Sequence, residues 1–175
     1  LSRLVGSEMC IRDRDYVGEV LYKGSGIRRF SHQQLRSEIV WVKQKPFLFA
    51  NSIRENLSLD KKFTDDELWH AIELAGLSSD FSFFPDKLDT QIGEWGINLS
   101  GGQKQRIGLA RALLRKGELY IFDDCLSAVD TVTENKILSS LEKQFLSDKT
   151  VLWTAHREST LRNCDKIIHL RGHYS

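Results

Sequence analysis

Proline is scarce in this 175-residue chain, with only Pro46 and Pro85, and no low-complexity tract or internal repeat interrupts it, so it reads as one domain. Long apolar runs are missing. None approaches the roughly 18 residues that cross a bilayer, and no signal-peptide pattern is visible, so work at a membrane would need another segment to carry the chain there. Net charge is also missing: 25 Lys+Arg against 24 Asp+Glu leave +1. That balance offers no electrostatic reason to expect nucleic acid or an anionic surface as the main partner. Cysteine is sparse and odd in number. Cys10, Cys125 and Cys164 lack metal-ligand spacing, which argues against a disulfide scaffold or zinc site and for a reducing compartment. What is present is 41% hydrophobic and 28% charged residues, a globular balance with enough apolar volume to fill a core.

Val20–Tyr22 and Ile39–Val42 are short β-favouring runs. Thr64 and Glu67 form a capping box, and Leu68, Ala71, Ile72 and Ala75 follow at helical spacing until Gly76. After Gly101 and Gly102, Ile107, Ala110 and Leu114 recur on one helical face, and Arg111, Arg115 and Lys116 suit the far end of that helix's dipole. Leu119–Phe122 is a continuous apolar run ending in Asp123 and Asp124, the pattern of a strand buried on both faces. A second capping box, Thr131 with Glu134, predicts a helix with Ile137, Leu138, Leu141 and Phe145 inside. Val151–Ala155 repeats the buried-strand pattern, and Lys166–Leu170 gives one more strand. Strands alternating with helices predict an α/β fold with a mainly parallel sheet, whose ligands sit beyond the carboxyl ends of the strands. Asp123, Asp124 and His156 fall there.

The strongest motif is Leu99-Ser100-Gly101-Gly102-Gln103, followed by Lys104-Gln105-Arg106 and a helix. Paired glycines at a helix start let backbone N–H groups approach an anion, the helix dipole favours negative charge there, and Ser100 adds a hydroxyl donor. This pentapeptide, the strand ending in Asp123-Asp124, Ser127-Ala128-Val129-Asp130 and Thr154-Ala155-His156-Arg157 stand in one order. Together they resemble the nucleotide-binding domain of an ATP-binding cassette (ABC) transporter of the exporter type, over about residues 15–175.

The resemblance implies a P-loop-NTPase-like ABC ATPase core with a helical subdomain over about residues 50–115, inserted between the Q-loop and the Walker B strand. It implies that Ser100, Gly101, Gly102 and Gln103 contact the γ-phosphate of ATP held by the opposite subunit. Asp123 matches the Walker B aspartate that holds Mg²⁺ through water, a hard oxygen ligand of the kind that ion takes. Asp124 stands where the family usually has the catalytic glutamate that polarises the attacking water. His156 resembles the switch histidine, Gln44 the Q-loop glutamine that senses Mg²⁺ and the γ-phosphate, and Asp130 the D-loop aspartate bridging two subunits. Glu94, in Thr90-Gln91-Ile92-Gly93-Glu94-Trp95-Gly96, resembles the residue that touches the transmembrane partner, with Trp95 either an interface anchor or a core residue.

Aspartate at 124 is one methylene shorter than glutamate, and a misplacement of about 1 Å can cost roughly 100-fold in rate, so a weakened hydrolytic site is expected. The P-loop motif G-x-x-x-x-G-K-[ST] occurs nowhere in the chain. Residues 1–14 fit no pattern and read as a non-native segment at the head of a truncated frame.

The expected parent is the ATP-binding and ATP-hydrolysing subunit of an ABC exporter, using ATP and Mg²⁺. It would work at the cytoplasmic face of a membrane with an attached transmembrane domain. A second nucleotide-binding domain would complete it, a different one being favoured over an identical one, and the chain alone is expected to be inactive. The alternative is a regulatory half whose signature completes a partner's site while its own is slow or dead. A soluble ABC ATPase of DNA repair or translation is disfavoured, since no coiled coil, tandem cassette or basic extension is present.

Overall fold

Residues 18–162 and 164–169 are described by a computed structural model, with Trp95 described by its backbone alone. The segment 1–14, Cys10, the Trp95 side chain and Leu170 lie outside the described parts. The chain opens on a small antiparallel hairpin, β1 (Leu21–Tyr22) and β2 (Ser25–Gly26). Its two turn residues, Lys23 and Gly24, both have positive φ, the geometry that fits a two-residue hairpin. Lys23 Nζ reaches Glu38 at 2.7 Å and Glu118 at 2.6 Å, tying the hairpin to the residues that lead into the amino ends of two strands of the main sheet.

Helix α1 (His32–Glu38) starts at a capping box made by Ser31 and Gln34. It runs directly into β3 (Ile39–Val42), which pairs in parallel with β4 (Leu119–Asp123), and β4 pairs in parallel with β5 (Thr150–Thr154). Val40, Tyr120 and Val151 share one face with Val42, Phe122 and Trp153, because side chains alternate along each strand. Tyr120 and Phe122 are fully buried on that face, and Phe122 meets Trp153 edge-on at 4.6 Å between ring centroids.

Between β3 and β4 lie three helices: α2 (Ile53–Ser58), α3 (Asp65–Leu74) and α4 (Gly101–Leu113). Short 3-10 turns join α3 to α4. Ile53, Leu68, Ile72, Ile107 and Leu109 are wholly buried where these helices pack together. Burial of each such side chain contributes about 1.5–3 kcal/mol. Capping boxes at Ser52–Glu55 and Thr64–Glu67 begin α2 and α3, the second as the sequence predicts. After β4 come α5 (Thr131–Gln144), β5 and the short α6 (Glu158–Leu161). The architecture is α/β with a parallel three-stranded sheet and helices packed on it, as expected.

Three expectations are corrected. The start of α5 is not a Thr131–Glu134 capping box: Asp130 is the N-cap and accepts from Thr133 N, while Glu134 is buried and turned toward α6. Burial on both faces fails for β5. Thr150, Leu152 and Thr154 are exposed, with Leu152 at 54%, because the face they share with the half-buried Leu119 and Ile121 of β4 is not covered among the described residues, and only Val151 and Trp153 face the core. Lys166–His169 belong to no strand, and Ile168 is 70% exposed, so the apolar character of this run is not used to pair it among the described residues.

Candidate functional site

The carboxyl ends of β3, β4 and β5 lie at one edge of the sheet, where Asp123 ends β4 and Gln44, Asp124 and His156 follow the strands. Asp123 is the last residue of β4, and its Oδ1 accepts the Thr154 hydroxyl at 2.9 Å from the paired position on β5. Asp124 leaves the strand with φ 47°, a left-handed conformation that aspartate tolerates better than most residues. Its amide still donates to Thr154 O at 3.0 Å, so the carboxylate is aimed by a backbone turn that remains tied to the sheet.

Gln44 Nε2 donates to Asp124 Oδ2 at 2.7 Å, bridging 80 positions of sequence. Gln44 itself is exposed, so this contact lies on an open edge. Pro46 just beyond it packs against α4, where a Cβ on Gly108 would come within 2.7 Å of the proline ring. Glycine at 108 is what lets the segment after β3 lie so close to the helix.

The predicted helix start is present. Ser100 caps α4, its Oγ accepting from Gln103 N at 3.2 Å and its amide donating to Gln103 Oε1 at 2.9 Å. A hydroxyl that accepts from a backbone amide keeps its own proton free to donate outward. Ser100 and Gly101 are exposed, while Gly102 is buried against the loop after β4. A Cβ at 102 would stand 2.9 Å from Ala128 O, so the second glycine is required by close approach to this loop. Gln103 turns inward, its Nε2 donating to Asp80 Oδ1 at 2.9 Å, and Arg106 holds the same carboxylate at 2.6 Å. Asp80 thereby anchors the first turn of α4.

His156 follows β5 and is exposed; it shares the lining of one small cavity with Asp124, Ser127 and Arg157. Arg157 fixes this loop. It donates to Val129 O at 2.7 Å and Ser127 O at 2.9 Å, and it pairs with the Glu134 carboxylate. Thr160 and Ser159 donate to Glu134 as well, so a buried charge is fully partnered. Asp130 is exposed at the N-terminus of α5, where the hydrogen bond from Thr133 N holds its carboxyl below the usual range. Glu94 is exposed in a 3-10 turn before α4.

Among the described residues no group of three or more His, Cys, Asp or Glu is arranged to hold a metal ion. Asp123 with one neighbouring carboxylate and an amide is instead a sparse set of hard oxygens, which fits Mg²⁺ keeping several waters and sharing substrate oxygens. Burial pushes the Cys125 thiol up and keeps it protonated beside these groups.

Asp80, Gln105, Ser127, Arg157 and Glu134 carry much of this geometry and were not singled out from the sequence as positioning groups. Gln105 had a signal: Gly102, Gln105, Leu109 and Ala112 form one buried stripe of α4, and a polar side chain on such a stripe needs partners.

The ABC transporter family profile matches residues 7–127. A multidrug resistance-like ATP-binding protein MdlA of Buchnera aphidicola subsp. Schizaphis graminum is 45% identical over 152 residues, covering 86% of this chain and 26% of that protein. The pediocin PA-1 transport/processing ATP-binding protein PedD of Pediococcus acidilactici is 39% identical over 86% of this chain and 21% of its own length. Among solved structures, a bacterial Atm1-family ABC exporter with ATP bound superposes with a TM-score of 0.80 at 33% identity. That superposition covers 87% of this chain and 27% of the other. The chain thus spans about a quarter of the length of such relatives. With its parallel sheet edge, its capped glycine helix and this extent of likeness, the chain belongs to the ABC transporter family.

Proposed function

We propose that this chain is part of the ATP-binding and ATP-hydrolysing subunit of an ABC exporter, in which ATP draws two nucleotide-binding domains together and hydrolysis resets them. The observation that carries this reading is the hydrogen bond between Gln44 and Asp124 at the carboxyl edge of the parallel sheet. It brings Gln44, two residues past β3, onto the carboxylate just after β4, which lines one cavity with His156.

In this reading Asp124 accepts a hydrogen bond from a water and orients it toward the terminal phosphate, and His156 donates to that phosphate. Asp123 and Gln44 would hold Mg²⁺, partly through water, and when bound that ion would supply charge neutralisation of the phosphate oxygens. Ser100, Gly101 and Gly102 offer a hydroxyl and helix-start amides to the γ-phosphate of a nucleotide bound by the second domain, and Gln103 holds Ser100 in place. Asp130 faces that domain across the interface, and Glu94 meets the transmembrane partner. The partner domain is a different chain, since a shortened carboxylate on one side suits a pair with one full-strength site. Among the described residues no helix is long and apolar enough to cross a membrane. Attachment at the cytoplasmic face then comes through the transmembrane domain.

The phosphate-cradling lysine motif is absent from the sequence, so the chain by itself is expected to bind ATP weakly and to hydrolyse it negligibly. Nucleotide titration with and without an intact partner domain tests this. Turnover only in the presence of the partner supports the reading, and micromolar ATP affinity by the chain alone contradicts it.

A further inference from the structure

Gln105 is only 5% exposed, and every hydrogen-bonding group of its side-chain amide is used. Its Nε2 donates to Gln44 O and to Ser127 Oγ, both at 2.9 Å, and its Oε1 accepts from Ala128 N at 2.8 Å. Ser127 Oγ in turn donates to Asp124 O at 2.9 Å, and Gln44 Nε2 closes on Asp124 Oδ2 at 2.7 Å. The result is a closed ring through Gln44, Asp124, Ser127 and Gln105, whose members come from three separate stretches of sequence. Ala128, held by the same glutamine, is the residue whose carbonyl packs against Gly102 at the start of α4. The glycine end of α4 and the Asp124 carboxylate are therefore parts of one hydrogen-bonded body.

We propose that Gln105 is a positioning residue: it fixes the Gln44–Asp124 pair relative to the Ser100–Gly102 helix start, so that the two ends answer to each other. Its role is geometric, since it lies buried behind Gln44 and Ser127 and touches no reacting atom. A shift of the helix start on contact with a nucleotide would be carried through Ala128 and Gln105 to the Asp124 backbone carbonyl and to the Gln44 main chain. Buried amide networks of this kind are rigid because each lost bond leaves a buried polar partner without water.

The kinetic half of this proposal rests on the ATPase reading above; the structural half does not. The test uses the complete transporter subunit with its partner. Gln105→Glu keeps the acceptor for Ala128 N but removes both donations, and it is expected to lower kcat for ATP by about tenfold or more while KM stays within about twofold. A folded Gln105→Glu protein with kcat within about twofold of the parent overturns the proposal. Thermal melting of Gln105→Leu, Ser127→Ala and the double variant reads the ring without any turnover. A double variant melting within about 1 °C of the worse single variant supports it, and additive shifts overturn it. Absent turnover in the parent subunit would instead defeat the ATPase reading, with the melting cycle still deciding the ring.

Discussion

Asp124 holds Gln44 at 2.7 Å while its own backbone sits at φ 47°. A short carboxylate, a left-handed turn and an amide donor from the neighbouring strand end are thus combined at one position. Aspartate is among the few residues at ease in that backbone region, and its reach is one methylene less than glutamate's.

Replacing Asp124 with Glu should restore reach toward a bound water. With the partner's own hydrolytic site silenced in the full-length pair, turnover at this site is expected to rise about tenfold or more, while Asp124→Asn, which cannot take a proton, abolishes it. Steady-state kinetics on both variants checks this, and a fall in rate for Asp124→Glu shows the shorter carboxylate to be the matched one.

The glycine pair of α4 should differ in tolerance. Gly102→Ala places a methyl 2.9 Å from the Ala128 carbonyl, and backbone cannot step aside cheaply, so a loss of about 1–3 kcal/mol is expected. At Gly101 the nearest atom is Ala128 Cβ at 3.3 Å, and Gly101→Ala should cost less. Denaturant melts of the two variants should rank them in that order.

Glu134 is a buried carboxylate whose charge is met by Arg157, with Thr160 adding a hydroxyl at 2.5 Å. Glu134→Ala leaves the Arg157 guanidinium without its counter-charge and empties a buried site. A loss of about 3 kcal/mol is expected, at the low end for buried pairs because Arg157 is partly exposed. Glu134→Gln, which keeps the shape, should cost less. Equal, small effects for both would mean that the loop carrying His156 is held by the carbonyl contacts alone.

Acid should weaken the start of α5. The Asp130 carboxyl is lowered by the Thr133 amide, so its stabilising effect is present above the ordinary aspartate value near 3.9 and fades as pH falls through the lower folded value. Glu67, lowered by the Thr64 amide, acts in the same direction on α3. Melting temperature followed from about pH 5 downward should fall, and Asp130→Asn, which can still accept from Thr133 N but does not titrate, should flatten part of that slope.

Much of the fold could be read from spacing. The β3 and β4 runs, the Thr64 cap and the glycine start of α4 are local patterns, and each appears where its residues predict. Failures came where the outcome depends on what lies across space. Glu134 has the spacing of a capping partner, yet Asp130 is the better cap, and Arg157, 23 positions away, draws the carboxylate inward. Leu152 looks like a buried strand residue but stands on a face that no element covers among the described residues. The candidate site is legible as a set of motifs through their resemblance to a family. Its hydrogen-bonded frame is not, because Gln105, Asp80 and Arg157 act through partners 22 or more positions distant.

The most direct measurement is a cross-link between a cysteine at Ser100 and a cysteine in the phosphate-binding loop of the partner domain, in the full-length pair with and without ATP. Efficient cross-linking that requires ATP is the predicted result, since the exposed helix start would then face a nucleotide held opposite. Cross-linking that never forms, or that forms equally without nucleotide, would contradict the account.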